Sequence, residues 1–177
     1  MPAATDVTAA ELIASAAFEN GVFAQAFPMF GVERRGAPVM AFLRIDDHHI
    51  RLRCKIANPD VLLILDPSLI RIQNPAADLK PGGVIVLNTN KSIADTRREY
   101  GFTHTLAVVD ANQIAKQVLG VPITNTTMLG ALLRATGAVK MDSMIGPLKE
   151  RFGPMASKNI AALQEAYEKT VVEEAKS

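Results

Sequence analysis

The chain has 177 residues, of which 49% are hydrophobic and 21% charged, and its formal net charge is +1. This length fits one domain with a sizeable aliphatic core, and the near-neutral charge argues against nucleic acid as a partner. The one cysteine, Cys54, excludes an internal disulfide, and it cannot by itself hold an iron–sulfur cluster or a structural zinc ion.

The first predicted element is a helix. Thr8 is a favoured N-cap residue, and Glu11 three positions later completes a capping box. Leu12 and the apolar residues that follow recur at helical spacing. Gly21 can end the helix, because glycine readily adopts the left-handed conformation. A short strand over residues 23–27 follows.

A charged loop precedes the next apolar stretch. Glu33, Arg34, Arg35 and Gly36 form this loop, and an apolar, strand-like run begins at Pro38. A planar guanidinium group suits phosphate and carboxylate, so an arginine pair held beside a buried strand can present positive charge to a ligand. The alternative is that both arginines belong to a solvated loop that binds nothing.

A β-hairpin is predicted from residues 38–45 and 50–55, which flank a polar turn. In the second arm basic and apolar residues alternate, which predicts an apolar face that includes Cys54 as a buried or half-buried residue. His48 and His49 in the turn could bind a metal ion, but no further ligands are close to them in the sequence. We therefore assign no metal site.

Three continuous apolar runs, 61–65, 84–87 and 105–109, predict buried parallel strands, and helical patterns lie between and after them. Asp66 follows the first run, at the carboxyl edge where ligands gather in α/β sheets. Alternating strands and helices indicate an α/β fold. Because the hairpin is antiparallel, we predict a three-layer α/β/α architecture with a mixed, mostly parallel sheet, as a single domain over residues 1–177.

The C-terminal third is predicted to be helical. Thr124 or Asn125 caps a helix that runs from about residue 126 to 135 and ends at Gly137. A last helix begins after Ser157, and its apolar stripe continues through Val171. The remaining tail is polar and is expected to fray.

The sequence contains no motif for a self-contained active site. It has no P-loop, no GxGxxG fingerprint and no GxSxG elbow, and neither metal ligands nor paired carboxylates are clustered. Its three histidines are not arranged with a nucleophile in a recognisable pattern. No apolar run approaches the length of a membrane span and no signal peptide opens the chain. We expect a cytoplasmic protein without catalytic residues of its own.

A resemblance to a known family rests on six stretches spread over nearly the whole chain. They read TAAELIASAAFENG, FAQAFP, FGVERRGAPVMAF, PDVLLILD, LKPGGVIVLN and GVPITNTTMLGALLRATG. Together they resemble the gamma subunit of the 2-oxoacid:ferredoxin oxidoreductases, and ERRGAPV is most similar to the pyruvate-type members, the pyruvate synthases. Agreement over many segments is far more specific than any single motif.

The resemblance implies a multi-subunit oxidoreductase. Enzymes of this family decarboxylate a 2-oxoacid on thiamine diphosphate, pass electrons through iron–sulfur clusters to ferredoxin and release acyl-coenzyme A. This chain would be a non-autonomous subunit that contributes to coenzyme A binding. Alpha, beta and delta-type partner subunits would hold thiamine diphosphate and the clusters. Pyruvate is the favoured 2-oxoacid, and another acid such as 2-oxoglutarate is the alternative.

The resemblance also assigns binding residues. Arg34 and Arg35 match the family's basic motif and are assigned to the coenzyme A phosphates. Asn125 is the second candidate, because its amide and the free N–H groups of a helix N-terminus suit a polar or anionic group; simple helix capping is the alternative. Two other functions stay open. The chain could be a structural adaptor whose arginines form salt bridges with another subunit, or, as a weaker alternative, a free-standing nucleotide-binding domain.

The N-terminus departs from the family pattern. Relatives begin with a strand and a glycine-rich turn, whereas residues 1–7 contain no glycine. Such a turn lets backbone N–H groups approach a phosphate, so its absence weakens a phosphate contact at this end and favours the adaptor. We expect an uncovered sheet edge next to the Thr8 helix, and we expect an upstream strand and turn to raise thermal stability.

Overall fold

The structure is a computed structural model that describes residues 5–29, 40–52 and 54–175, with side chains described from Thr8 onward. Within it the chain divides into two compact units. The first comprises Met1–Ile56 and Ala138–Ile160, and the second comprises Ala57–Gly137 and Ala161–Ser177. The described residues of each unit contain one β-sheet. A single domain over the whole chain stays a prediction.

The described residues form seven α-helices and six β-strands. In chain order these are α1 (Thr5–Glu19), β1 (Phe23–Met29), β2 (Met40–Asp46), β3 (Val61–Ile64), α2 (Ser68–Gln73), β4 (Val84–Asn88), α3 (Ile93–Tyr100), β5 (Thr105–Val109), α4 (Ala111–Val118), α5 (Asn125–Thr136), α6 (Ile145–Phe152), α7 (Ala156–Lys169) and β6 (Val171–Glu173). Short 3₁₀ turns lie at Pro75–Asp78, Met141–Met144 and Gly153–Met155. Most boundaries fall within a few residues of the predicted ones, because periodicity is a local signal. The predicted caps Thr8 and Ser157 are wrong, since α1 begins at Thr5 and α7 at Ala156 and both residues lie inside the helices.

In the first unit, α1 packs on an antiparallel pair of strands, β1 and β2. The buried residues of α1 include Leu12, Ile13, Ala16 and Ala17. The strand register places Phe27 opposite Phe42, and their stacked rings have centroids 5.4 Å apart. Cross-strand aromatic pairs stabilise the register in which they meet.

The predicted pairing partner of β2 is wrong. Residues 50–52 and 54–56 form no strand, and β2 pairs with β1 instead. The guanidinium of Arg44 donates to the Cys54 carbonyl at 2.7 Å, so a side chain holds this segment. Cys54 itself is exposed, which contradicts its predicted burial. β1 is the better partner, because its apolar and aromatic residues pack against β2, whereas charged residues alternate through the 50–55 arm.

The second unit has a four-stranded sheet in the order β3–β4–β5–β6. β3, β4 and β5 are parallel, with Val61 opposite Val84 in the first pair. β6 is antiparallel to β5 and forms an edge of the sheet. The predicted mixed, mostly parallel sheet is therefore confirmed. Its antiparallel member is the C-terminal strand and not the hairpin, whose strands form a separate two-stranded sheet.

Helices cover both faces of the four-stranded sheet. On one face, Ile85 and Leu87 of β4 and Leu106 and Val108 of β5 form a buried cluster with residues of α2 and α3. On the other face, where the alternate residue Val86 is fully buried, α5 packs against β4 and β5. Each fully buried aliphatic side chain contributes about 1.5–3 kcal/mol. The predicted three-layer α/β/α architecture is confirmed.

A buried arginine of α3 fixes the C-terminal strand. The side chain of Arg97 is 6% exposed, and its guanidinium donates to the carbonyls of Phe102 and His104 at 2.8 and 3.0 Å. It also pairs with the Glu173 carboxylate at 3.1 Å and donates to the Glu174 carbonyl at 2.8 Å. Because several acceptors share one buried cation, α3, β6 and the loop before β5 are held together.

The predicted length of the last helix is wrong. Helical spacing of apolar residues predicts a helix through Val171, but α7 ends at Lys169 and the next residues form β6. β6 pairs with β5 over Leu106 to Val108. Backbone pairing and the contacts of Arg97 outweigh the helical periodicity of the sequence at this end of the chain.

Candidate functional site

The first turn of α5 buries three consecutive polar residues. Asn125 is 5% exposed, and Thr126 and Thr127 are completely buried. Thr124 occupies the N-cap position but makes no side-chain cap hydrogen bond. The hydrogen bond from Met128 N to Thr124 O, at 2.8 Å, is the first of the helix. Helix geometry therefore leaves the three preceding N–H groups without partners in the helix.

The side-chain oxygens of this turn have no hydrogen-bond partner. Asn125 Oδ1, Thr126 Oγ1 and Thr127 Oγ1 are all buried and unpaired. A buried polar atom without a partner costs about 1–3 kcal/mol, and native structures contain few of them. Three such atoms in consecutive residues make this turn a candidate binding site for a polar group.

The electrostatics of the turn come from the backbone. α5 has no acidic residue in its first turn, and its basic residue, Arg134, lies in the last turn. The Arg134 guanidinium carbon is 5.6 Å from the centre of the Tyr167 ring. The N-terminus of a helix carries about half a positive charge. Just before the helix, Val121 and Ile123 are about half exposed. The turn thus combines hydrogen-bond donors, unpaired oxygens and apolar neighbours.

The sequence predicts the helix well and its polar turn only in part. α5 ends at Gly137, whose φ of +61° is the left-handed conformation expected of a glycine at this place. Asn125 does not cap the helix, since it is the first helical residue and Thr124 precedes it. Its assignment to a ligand stays a prediction. Sequence analysis misses Thr126 and Thr127, whose only signal is a polar run directly before an apolar stripe.

The other predicted site residues, Arg34 and Arg35, lie outside the described residues. The described residues on either side, Met29 and Met40, are opposite each other at the end of the β1–β2 pair. The segment with the two arginines therefore connects these strands. Its assignment to the coenzyme A phosphates stays a prediction.

The carboxyl edge of the parallel strands is engaged in internal hydrogen bonds. Buried Asn88 donates from Nδ2 to Leu65 O at 2.9 Å and accepts from Ala111 N through Oδ1 at 3.0 Å. Asp66 accepts from Ser68 N at 2.9 Å, as in a plain turn. The Asn88 side chain thus links the ends of β3 and β4 to the start of α4 through hydrogen bonds, and the Asp66 carboxylate stabilises the turn before α2.

The first unit contains a groove of about 750 Å³ between α1, β1 and α6. Its lining includes Ala24, Gln25 and Ala26 of β1. Because successive side chains of a strand point to opposite faces, three consecutive lining residues place the groove along an edge of β1. The lining also includes glutamates and Arg151, which donates to Thr8 Oγ1 at 3.3 Å. With both signs of charge present, the groove favours no one ligand charge.

Within the described residues, no three histidine, cysteine, aspartate or glutamate side chains are grouped so that they could hold a metal ion. His48 Nδ1 lies 3.3 Å from Asp46 Oδ1, and both side chains are exposed. The pKa of Asp46 is lowered, mainly because its carboxylate accepts the His48 backbone N–H. None of the helices that the structure describes is long and apolar enough to cross a membrane.

The class of the protein follows from the family that this α/β chain matches. The model of the family described as pyruvate ferredoxin/flavodoxin oxidoreductase matches residues 6–169, and the chain belongs to this family. It is 51% identical to the pyruvate/ketoisovalerate oxidoreductases common subunit gamma of Thermococcus kodakarensis, over 95% of this chain and 92% of that one. It is 49% identical to pyruvate synthase subunit PorC of Methanothermobacter marburgensis, over 92% of this chain and 89% of that one.

A crystal structure from the same family has the same fold. Subunit PORC of the pyruvate oxidoreductase of Thermotoga maritima is 36% identical and superposes with a TM-score of 0.83, covering 96% of this chain and 92% of that one. These matches confirm the predicted resemblance to the gamma subunits. They also confirm that the chain is a subunit of a 2-oxoacid oxidoreductase.

Proposed function

We propose that the chain is the gamma subunit of a cytoplasmic pyruvate:ferredoxin oxidoreductase and that it contributes to coenzyme A binding in this complex. The complex would interconvert pyruvate plus coenzyme A with acetyl-coenzyme A plus carbon dioxide and transfer electrons to ferredoxin. Its alpha, beta and delta-type subunits would hold thiamine diphosphate and the iron–sulfur clusters. This chain does not fit a cluster, which needs several thiolates, because it has one cysteine.

Pyruvate is the proposed 2-oxoacid for two reasons. The sequence ERRGAPV is most similar to the pyruvate-type members of the family. The relatives from all three organisms are named for pyruvate as well. The Thermococcus relative is also named for ketoisovalerate, so a branched 2-oxoacid is the first competitor to test, together with 2-oxoglutarate.

The observation that supports coenzyme A binding is the unpaired first turn of α5. Coenzyme A offers phosphates, which accept hydrogen bonds, and amides, which both donate and accept. The turn offers free backbone N–H groups and three unpaired oxygens, those of Asn125, Thr126 and Thr127. The donor set therefore fits polar groups of this ligand. Arg34 and Arg35 are proposed to bind its phosphates, on the strength of the family motif alone.

The test is steady-state kinetics of the assembled complex with Arg35→Ala. A charge-assisted hydrogen bond contributes about 1.5–3 kcal/mol, so the Michaelis constant for coenzyme A should rise about ten-fold or more. The constant for pyruvate should hardly change, because partner subunits bind the acid. Lysine at the same position should retain part of the affinity, since a point charge still attracts phosphate. Arg98→Ala is the matched control, because that side chain is 79% exposed.

The adaptor alternative gives a different result in the same experiment. If the arginines form salt bridges between subunits, Arg35→Ala lowers subunit association and reduces activity with all substrates together. Native mass spectrometry of the variant complex measures the association. An intact variant complex with unchanged affinity for coenzyme A would contradict the proposed role of the arginine pair.

A further inference from the structure

We infer that the first turn of α5 binds a neutral amide of the pantetheine arm of coenzyme A and not one of its phosphates. The inference rests on the proposed function, since it requires that this chain contacts coenzyme A. Two independent observations define the site. One is the uncapped N-terminus of a 12-residue helix. The other is the side chain of Asn125, which is 5% exposed and whose Oδ1 has no partner.

The hydrogen-bond polarity of the turn favours an amide. Asn125 Oδ1 is an acceptor, so its partner must donate a proton. An ionised phosphate offers only acceptor oxygens and leaves this atom unpaired. An amide offers an N–H for Asn125 Oδ1 and a carbonyl oxygen for the free backbone N–H groups or for the hydroxyls of Thr126 and Thr127. One amide can therefore satisfy groups of both kinds.

The charge of the turn also favours a neutral ligand group. The basic residue of α5, Arg134, lies nine positions after Asn125, which is about 13 Å along a helix. A buried charge without a counter-ion is strongly disfavoured, whereas a buried amide with both partners is not. The half charge of the helix N-terminus suffices to polarise a carbonyl group. A dianionic phosphate would need a cation that this turn does not contain.

Apolar residues before the helix match the rest of the arm. Val121 and Ile123 are 45% and 50% exposed and lie four and two positions before Asn125, respectively. Pantetheine alternates its two amides with methylene and methyl groups. An amide at the first turn would bring such groups to the loop that precedes the helix, where contact with the exposed valine and isoleucine removes apolar surface from water.

A matched threonine in the same chain separates a ligand role from a structural one. Thr96 of α3 is also completely buried, but its hydroxyl donates to Ser92 O at 2.8 Å. In the isolated full chain, Thr96→Val should lower the melting temperature by about 2–4 °C, because it removes a satisfied hydrogen bond. Thr126→Val and Thr127→Val should leave it unchanged or raise it, because a methyl group of the same shape replaces an unpaired hydroxyl. A fall as large as that of Thr96→Val would overturn the inference.

Ligand binding is measured in the assembled complex, with pantetheine as a phosphate-free competitor of coenzyme A. Thr126→Val should raise the Michaelis constant for coenzyme A and the inhibition constant of pantetheine by the same factor, about five-fold or more. Asn125→Leu removes the oxygen acceptor at similar side-chain volume and should raise both constants by the same factor, about five-fold or more. If a phosphate were bound at the turn, only the constant for coenzyme A would rise, because pantetheine has no phosphate. Thr96→Val should change neither constant.

Each remaining outcome is decisive. A weaker affinity for coenzyme A with unchanged inhibition by pantetheine would place a phosphate at the turn and overturn the inference. Unchanged constants for both ligands in Thr126→Val and Thr127→Val would overturn it too. If Arg35→Ala has no effect while the α5 variants weaken both ligands, the arginine assignment fails and the inference stands. If neither Arg35→Ala nor any α5 variant changes coenzyme A binding, both the inference and the proposed role in coenzyme A binding fail.

Discussion

The first turns of α3 and α5 pair their polar groups in different ways. In α3, Ser92 Oγ accepts from Asp95 N at 3.1 Å, and the buried Thr96 hydroxyl donates to Ser92 O at 2.8 Å. In α5, Thr124 makes no side-chain cap, and the equally buried threonine hydroxyls after it have no partner. The difference shows that the N-terminus of α3 is capped by its own side chains, whereas the first turn of α5 leaves buried side-chain oxygens without hydrogen-bond partners. Natural chains accept such a loss of stability mainly at functional sites.

The largest expected effect concerns the structural contacts of α3. Arg97→Ala should lower the free energy of unfolding by about 3–5 kcal/mol, because it leaves the carbonyls of Phe102 and His104 and the Glu173 carboxylate without their cation. Urea denaturation of the full chain measures the loss. The adjacent variant Arg98→Ala is the control, since its ion pair with Asp95 is exposed and should contribute less than about 1 kcal/mol. Similar losses for both variants would show that burial of Arg97 is not the cause.

The next effect tests whether α5 is held firmly beyond its first turn. A Cβ at Gly130 would overlap the backbone carbonyl of Leu163 in α7, so Gly130→Ala should destabilise the chain by about 3 kcal/mol. Gly146→Ala is the control, because the nearest atom there is the carboxylate end of the flexible Glu19 side chain. That change should be neutral or slightly stabilising, since alanine favours a helix by about 1 kcal/mol over glycine. Thermal unfolding measures the stability of both variants. If Gly130→Ala and Gly146→Ala were equally stable, α5 would be loosely packed, and its unpaired polar groups would then be no sign of a binding site.

A smaller effect contrasts the two helix caps directly. Ser92→Ala removes a side-chain cap and should cost about 1 kcal/mol. Thr124→Ala removes a residue whose side chain makes no cap, so it should lower the free energy of unfolding by only about 0.3 kcal/mol. Equilibrium denaturation of each variant measures both values. If Thr124→Ala proves as costly as Ser92→Ala, the turn of α5 is capped in solution and the contrast between the helices disappears.

The smallest effect lies on the exposed face of α3 and depends on pH. Glu99 pairs with Lys91 and with Arg71, and these contacts, first of all the Lys91 hydrogen bond, hold its pKa below the ordinary value of 4.5. A carboxyl group whose pKa is lower in the folded than in the unfolded chain stabilises the fold fully above about pH 4.5, the unfolded pKa. This stabilisation is lost as the pH falls through the folded pKa. The stability difference between the wild type and Glu99→Gln should therefore be largest at neutral pH and vanish in acid. A difference that stays constant from pH 7 to pH 3 would exclude the ion pair as its source.

The elements of the α/β core could be predicted because their signals are local. Ser92 and Asp110 begin α3 and α4 as side-chain caps, and both are recognisable from the residue type and the spacing to the next polar residue. The apolar runs of β3, β4 and β5 are continuous because both faces of these strands are buried.

Features that depend on distant residues could not be predicted. Val171 fits a helical stripe, and only Arg97, far away in the sequence, shows why the chain leaves the helix for β6. The partner of β2 is decided by how Phe27 packs on Phe42 and not by the nearest turn. At the candidate site, residue type alone gives Asn125. Whether a buried threonine hydroxyl has a partner depends on the surrounding packing, so Thr126 could not be told from Thr96.

The contact between Arg97 and Glu173 joins residues 76 positions apart in the sequence. During folding, the sheet can therefore close at β5 only when these two distant segments meet and β6 pairs with β5. Until then β5 presents an unpaired edge, of the kind that pairs with other partly folded chains. A long-range closure of this type is slow compared with helix formation. The pairing of β6 is thus expected to be a late step, and the edge of β5 is the part of the core most open to aggregation before it.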